Sequence, residues 1–237
     1  LPVSQYNNPA TVESLKEAVV GKRTLVDYEG CTLRIDIRAN RLTVVPESYG
    51  SLIHWAYEPV KLGRRPNNSL TGTTLVVDVG YETTDTSLFD GAKYQRDQAF
   101  TIERAGMGVV VRELQEYLAK DLKGVEVSRT DAAMQRLAGL PVGAEKWIEP
   151  IPGKRADVGE LYDQAIADLG LKIAQDVATR YAETPARVLL AGGGAYHLER
   201  VLRDALGGSV EVVPDADIAN AVGAFTSLRL KASQSVH

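Results

Sequence analysis

At 237 residues the chain holds roughly one and a half domains on a prior of about 150 residues each, ample for a buried core. Its 27 Lys and Arg against 31 Asp and Glu leave a net charge of −4, and a pI near 5.5 excludes the basic footprint of a direct nucleic-acid binder. The 21 Gly and 10 Pro exclude collagen-like and low-complexity composition. No apolar run approaches the roughly 18 residues of a membrane span. A lone cysteine, Cys31, can make neither an internal disulfide nor a thiolate metal site, so the expectation is a soluble, cytoplasmic protein.

In chain order, Leu1-Pro2-Val3-Ser4 reads as an apolar strand end. Apolar Val12, Leu15, Val19 and Val20 fall at helical spacing and predict a short helix over Ala10 to Val20. Three β-rich runs follow, Arg23 to Tyr28, Thr32 to Ile37 and Arg41 to Val45, divided by turn residues. Pro46-Glu47 opens a helix to about Tyr57, and the breaker-rich, basic stretch from Lys61 to Asn68, with Arg64-Arg65, reads as a surface loop. Thr73 to Gly80 and Thr83 to Phe89 read as strands, Asp90-Gly91 as a turn and Lys93 to Ile102 as a third strand. Gly106-Met107-Gly108 introduces a helix to about Leu122, with Val109, Val110, Leu114, Tyr117 and Leu118 making its apolar face. Residues 123 to 155 read as irregular, with a short helix near Ala132 to Leu137. A long helix spans Val158 to Tyr181, then come strand Val188 to Ala191, Gly192-Gly193-Gly194, helix Tyr196 to Leu206, strand Val210 to Val213 and a last helix from Asp217 to about Leu230. Three meandering strands followed by alternating helices and strands imply an α/β fold, a mixed five-stranded sheet with helices on both faces, because parallel strands need helical crossovers.

Asp78 ends an otherwise apolar strand, where a carboxylate must be paired, coordinated or reached by solvent. Read alone, it is either an exposed strand-end Asp or the water-mediated ligand of a Mg²⁺, which usually keeps several waters and takes one or two carboxylates. Asp78 to Asp85 joins two strands by a tight turn whose amides and hydroxyls, at Gly80, Tyr81 and Thr83, could surround phosphate oxygens. Gly192, Gly193 and Gly194 sit between a buried strand and a helix, where open α/β sheets bind ligands. Gly106 and Gly108 repeat that form at a helix start suited to anions. Read singly, each glycine cluster is equally a generic turn. His54 and His197 lack partners at metal spacing and read as helix-surface or satisfied core residues, and Trp55 and Trp147 as packing residues.

In this order the motifs resemble those of the actin-like ATPases within the actin, Hsp70 and sugar-kinase superfamily. Asp78 to Asp85 resembles the second phosphate loop, with Tyr81-Glu82 in place of a second Gly and Thr, and Val188 to Ala195 the adenosine motif. Val44-Val45-Pro46-Glu47-Ser48 is similar to the segment carrying the water-activating residue in plasmid-segregation actins of the ParM/StbA type. Ala219-Asn220-Ala221-Val222-Gly223-Ala224-Phe225 is similar to their C-terminal helix. The resemblance implies an actin-like duplicated fold of the ribonuclease H type. Residues 73–211 would form a complete second lobe, and residues 1–72 with 212–237 part of a first. It also implies that Glu47 orients the attacking water, that Asp78 holds Mg²⁺ through water, and that Asn220 lies near the nucleotide. ATP or GTP would be the ligand, a filament of identical subunits the assembly, and an adaptor protein the link to plasmid DNA, with neither direct nucleic-acid binding nor a membrane. A small-molecule kinase and a non-hydrolysing scaffold are the alternatives. The family's first phosphate loop, an Asp-x-Gly turn, has no counterpart in the chain and would precede Leu1.

Overall fold

The computed structural model describes residues 1–26, 30, 32–61, 70–121, 137, 140, 144–151, 153–181, 185–207 and 209–234. Cys31, the Arg64-Arg65 loop and all of the 132 to 137 helix except Leu137 lie outside them. The helices are α1 (Val3–Tyr6), α2 (Pro9–Val19), α3 (Glu47–Lys61), α4 (Met107–Asp121), α5 (Gly159–Arg180), α6 (Ala195–Leu206) and α7 (Ala219–Gln234). The strands are β1 (Gly21–Val26), β2 (Thr32–Ile37), β3 (Thr73–Val79), β4 (Thr84–Asp90), β5 (Lys93–Tyr94), β6 (Phe100–Ile102), β7 (Trp147–Ile151), β8 (Lys154–Asp157), β9 (Arg187–Ala191) and β10 (Val210–Val212). Among the described residues, no helix is long and apolar enough to cross a membrane.

The central sheet is mixed, in the order β10-β9-β3-β4-β5, with β6 also paired to β4. β3 runs parallel to β9 and antiparallel to β4, and β10 runs parallel to β9. Helical crossovers through α5 and α6 make the parallel neighbours, as the alternation of elements required. Leu75-Val76-Val77-Asp78-Val79 is buried throughout, the pattern of a strand covered on both faces. Leu75, Val77 and Val79, with Val188 and Leu190, face a core shared with α4, α5 and α6. Val76, Leu189 and Ala191 face the opposite way, against Leu52, Trp55 and Ala56 of α3 and Ala219 of α7. The layers are therefore two helices, a sheet and three helices.

Trp55 anchors the α3 side: its indole N–H donates to Glu211 Oε2 (3.2 Å) and the Arg187 guanidinium lies 4.4 Å from its ring centre. α3 and α7 cross where neither carries a side chain. A Cβ at Gly50 would overlap the Asn220 carbonyl, and one at Gly223 the Gly50 carbonyl, so the two backbones touch.

Four sequence expectations change. Leu1 to Ser4 is not a strand: the Pro2 carbonyl accepts from the Gln5 (3.1 Å) and Tyr6 (2.9 Å) amides, which winds α1. Leu1 alone pairs like a strand, donating to the Val45 carbonyl (3.0 Å) and accepting from the Glu47 amide (2.9 Å). Arg41 to Val45 forms no third hairpin strand, because a 3-10 turn over Ala39–Arg41 turns the chain away from β2. The strand expected over Lys93 to Ile102 is split by a 3-10 turn at Arg96–Gln98, so β5 and β6 pair with opposite ends of β4. The stretch expected to be irregular contains the β7–β8 hairpin, whose register slips between Ile148 and Ile151, around Pro150, which has no amide to give a ladder.

The backbone contact at the helix crossing has no flexible side chain to yield. Gly223→Ala is expected to lower the unfolding free energy by about 2–3 kcal/mol, at the upper end of overpacking effects. Gly193→Ala, where a Cβ would meet nothing within 4 Å, should change it little. Urea unfolding of both variants checks the contrast.

Candidate functional site

Asp78, only 8 % exposed, is the second-last residue of β3, at the sheet's C-terminal edge. Its Oδ2 accepts a hydrogen bond from Asn220 Nδ2 (2.8 Å). Burial pushes its pKa from 3.8 up to about 6, the Asn220 bond opposes the rise, and the charges of Glu47 and Asp85 add to it. Glu47 begins α3 and is exposed, so the Pro46-Glu47 helix start brings a second carboxylate into the field of the first. The result is an acidic pocket edge that a cation would relieve.

The turn after β3 is closed by the Gly80 amide donating to the Thr83 carbonyl (3.0 Å). Tyr81 is 51 % exposed, and the Glu82 carboxylate lies 3.4 Å from the Arg112 guanidinium, which offsets its charge beside the turn. Gly106 and Gly108 serve this turn directly. The Met107 amide donates to the Gly80 carbonyl (3.0 Å) and the Gly108 amide to the Tyr81 carbonyl (2.7 Å). A Cβ at Gly106 or Gly108 would strike the Tyr81 carbonyl. The first amides of α4 thus hold the Gly80–Tyr81 turn in shape instead of standing open to an anion.

The glycine triplet after β9 divides by role. Gly192 has φ +80° and lies against the Val79 backbone and Asp78 Oδ1, while its amide donates to the Ala216 carbonyl (2.9 Å). Gly194 donates to the Val79 carbonyl (3.0 Å) and packs on the Val79 side chain. Gly193 faces open space. Segments around 47, 78–83, 106–108, 192–194 and 220 therefore meet at one edge of the sheet.

Ser51 had no local signal, and the roles of Asp85 and His197 appear only in the fold. Buried Ser51, one helical turn after Glu47, donates its hydroxyl to Asn220 Oδ1. Asp85 is buried and pairs in register with Asp78. It accepts from the Val3 amide (2.9 Å) and from Thr101 Oγ1 (2.5 Å), which ties the start of the chain to β4. Beyond the triplet, a cavity of about 370 Å³ between α5 and α6 is lined by Lys146, Tyr162, Asp163, Tyr196, His197 and Arg200, among others. Lys146 is buried and paired with Asp163 (2.9 Å). His197, expected only to pack or lie on a helix surface, shares a hydrogen bond with Tyr162 Oη (2.5 Å), and burial lowers its pKa to about 4, so it is neutral at physiological pH. His54 is buried, its Nε2 without a hydrogen-bond partner among the described residues.

Residues 76–204 match the family described as archaeal actin homologue MreB-like, C-terminal. Three solved structures are similar over most of this chain. Ta0583, an archaeal actin homologue, is 20% identical, with TM-score 0.73 over 98% of this chain and 67% of its own. A 15-stranded ParM filament from Clostridium botulinum is 16% identical, with TM-score 0.72 over 97% and 65%. Bacillus thuringiensis ParM with ATP is 12% identical, with TM-score 0.68 over 92% and 64%. The chain spans about two thirds of the length of these structures, and its fold is theirs, actin-like, with a mixed sheet flanked by helices. No curated protein matches it.

Because the folded protein raises the Asp78 pKa to about 6 from 3.8, it takes up a proton before the unfolded chain does as pH falls. The ionised carboxylate therefore costs stability above pH 6, and that cost is relieved between pH 6 and 4. In chelator, Asp78→Asn is expected to be more stable than the parent at pH 8, by on the order of 2–3 kcal/mol at most, with the difference closing by pH 4. His197 works in the opposite sense, losing stability as pH falls from 6.5 toward 4, and does so equally in both proteins. Thermal unfolding across pH 4 to 8 measures the difference.

Proposed function

From the premise that the chain belongs to the family of archaeal actin homologues described as MreB-like, C-terminal, we propose that it is the larger part of an actin-like ATPase. It would bind ATP, or GTP, with Mg²⁺ between two lobes and polymerise into filaments of the ParM/StbA type that segregate plasmid DNA through an adaptor protein in the cytoplasm. The observation that carries this reading is the meeting of Asp78, Glu47, Asn220 and the Gly80 and Gly192 turns, drawn from four separated stretches, at one edge of the sheet. The similarity to a ParM filament and to ParM with ATP supports it.

In this reading residues 73–211 form one lobe and residues 1–72 with 212–237 contribute to the other, with α3 and α7 lying between. The Gly80 turn, including Tyr81 and Thr83, faces the phosphates, and its shape is held from behind by Gly106 and Gly108. Gly193, the open member of the triplet, lets the ribose approach the backbone, and the cavity between α5 and α6 has room for a nucleoside. Asp78 would hold Mg²⁺ through water, and the ion's charge would neutralise phosphate oxygens that Asp78 and Glu47 would otherwise repel. Glu47, exposed at the first turn of α3, accepts a hydrogen bond from the attacking water and orients it toward the γ-phosphate. Hydrolysis at a site between lobes then changes their closure and weakens the contacts between subunits.

For the complete protein with Mg²⁺ and ATP or GTP, the expectation is nucleotide-dependent pelleting and light scattering. Glu47→Ala should slow phosphate release about 10²-fold or more, as loss of a positioned catalytic group does, and lengthen filament lifetime. Nucleotide turnover without polymer, dependent on an added small molecule, would replace the filament reading with a kinase.

A further inference from the structure

We propose that Ser51 is a positioning residue for Asp78: through the side-chain amide of Asn220 it keeps Asp78 Oδ2 engaged and leaves Oδ1 facing the glycine turn. The functional consequence rests on the nucleotide-site reading above; the positioning itself does not.

An ionised carboxylate only accepts hydrogen bonds, so Asn220 must turn its NH₂ group to Asp78, as it does at 2.8 Å. That leaves the half-buried Asn220 carbonyl oxygen aimed at α3, where an acceptor without a donor would be costly. Ser51 supplies the donor. It is fully buried, and the contact exists because α3 and α7 touch at Gly50 and Gly223. The terminal torsion of an Asn side chain is soft, so without the hydroxyl no other hydrogen bond from α3 among the described residues holds the amide plane. With it, one Asp78 oxygen is committed and the other lies against Gly192. Glu47 and Ser51 stand one turn apart on α3. A single helix therefore carries both the group assigned to the water and the group that sets Asp78, and any shift of α3 on α7 moves the two together.

The experiment compares the complete protein with Ser51→Ala, Ser51→Thr, which restores the hydroxyl, and Ser51→Cys, of similar size but a weak donor, which replaces Ser51→Ala if that variant does not fold. The first readout needs no nucleotide: solvent exchange of the Asn220 side-chain NH₂ followed by NMR. Faster exchange in Ser51→Ala, with protection recovered in Ser51→Thr, is the expected result; equal exchange in all variants overturns the positioning. The second readout is the Mg²⁺ concentration giving half-maximal ATP turnover. It should rise about 10-fold or more in Ser51→Ala, in the range of outer-shell substitutions at metal sites, and return in Ser51→Thr. Faster amide exchange with an unchanged Mg²⁺ requirement overturns the functional consequence. Parent protein that turns over no nucleotide overturns the ATPase reading instead, and the amide exchange then decides the positioning alone.

Discussion

The organising interaction is the hydrogen bond between a buried carboxylate and a helix that reaches it from the far end of the chain. Asp78 sits near the end of β3, buried beside apolar residues, and such a group destabilises the fold unless something answers its charge. Asn220 answers it in part, and can do so only because α3 and α7 are in backbone contact at Gly50 and Gly223. The crossing places α7 over the sheet, Ser51 against Asn220, and Glu47 within the field of Asp78. A methyl group added at either glycine would force the two helices apart.

Around that contact, backbone meets backbone repeatedly. Gly106 and Gly108 admit the Tyr81 carbonyl, and Gly192 and Gly194 admit the Val79 residue. These glycines hold two turns at fixed distance from Asp78 with amide hydrogen bonds in place of side chains. A site built this way is rigid without being filled. Only Gly193 opens outward, so the triplet combines a structural pair with one position of access.

Much of the fold was legible because its signals are local. The continuous apolar run Leu75 to Val79, the alternation in Thr84 to Phe89 and the helical spacing in α4, α5 and α6 each declare an element within a few residues. Where expectation failed, a distant partner had intervened. Pro2 winds a turn with Gln5 and Tyr6 while Asp85, more than eighty residues away along the chain, takes the Val3 amide. Residues 123 to 155 read as irregular, yet the β7–β8 ladder forms there and takes in Pro150 with a slip in register. The 3-10 turn at Arg96–Gln98 leaves no periodic trace, and it divides an edge strand in two.

The sequence by itself determined the α/β alternation and the mixed sheet with its helical crossovers, and residue type at short spacing marked Asp78 and the glycine turns; Glu47 and Asn220 entered through the resemblance to actin-like ATPases. Tertiary structure alone decided what those residues do for one another. It turned Gly106 and Gly108 toward the Gly80 turn, singled out Gly193, tied Asp85 to the Val3 amide, and brought in Ser51, a polar residue with no motif. A hydrogen bond between side chains 169 positions apart depends on how two helices cross, and a crossing set by backbone contact at two glycines is written in no local pattern.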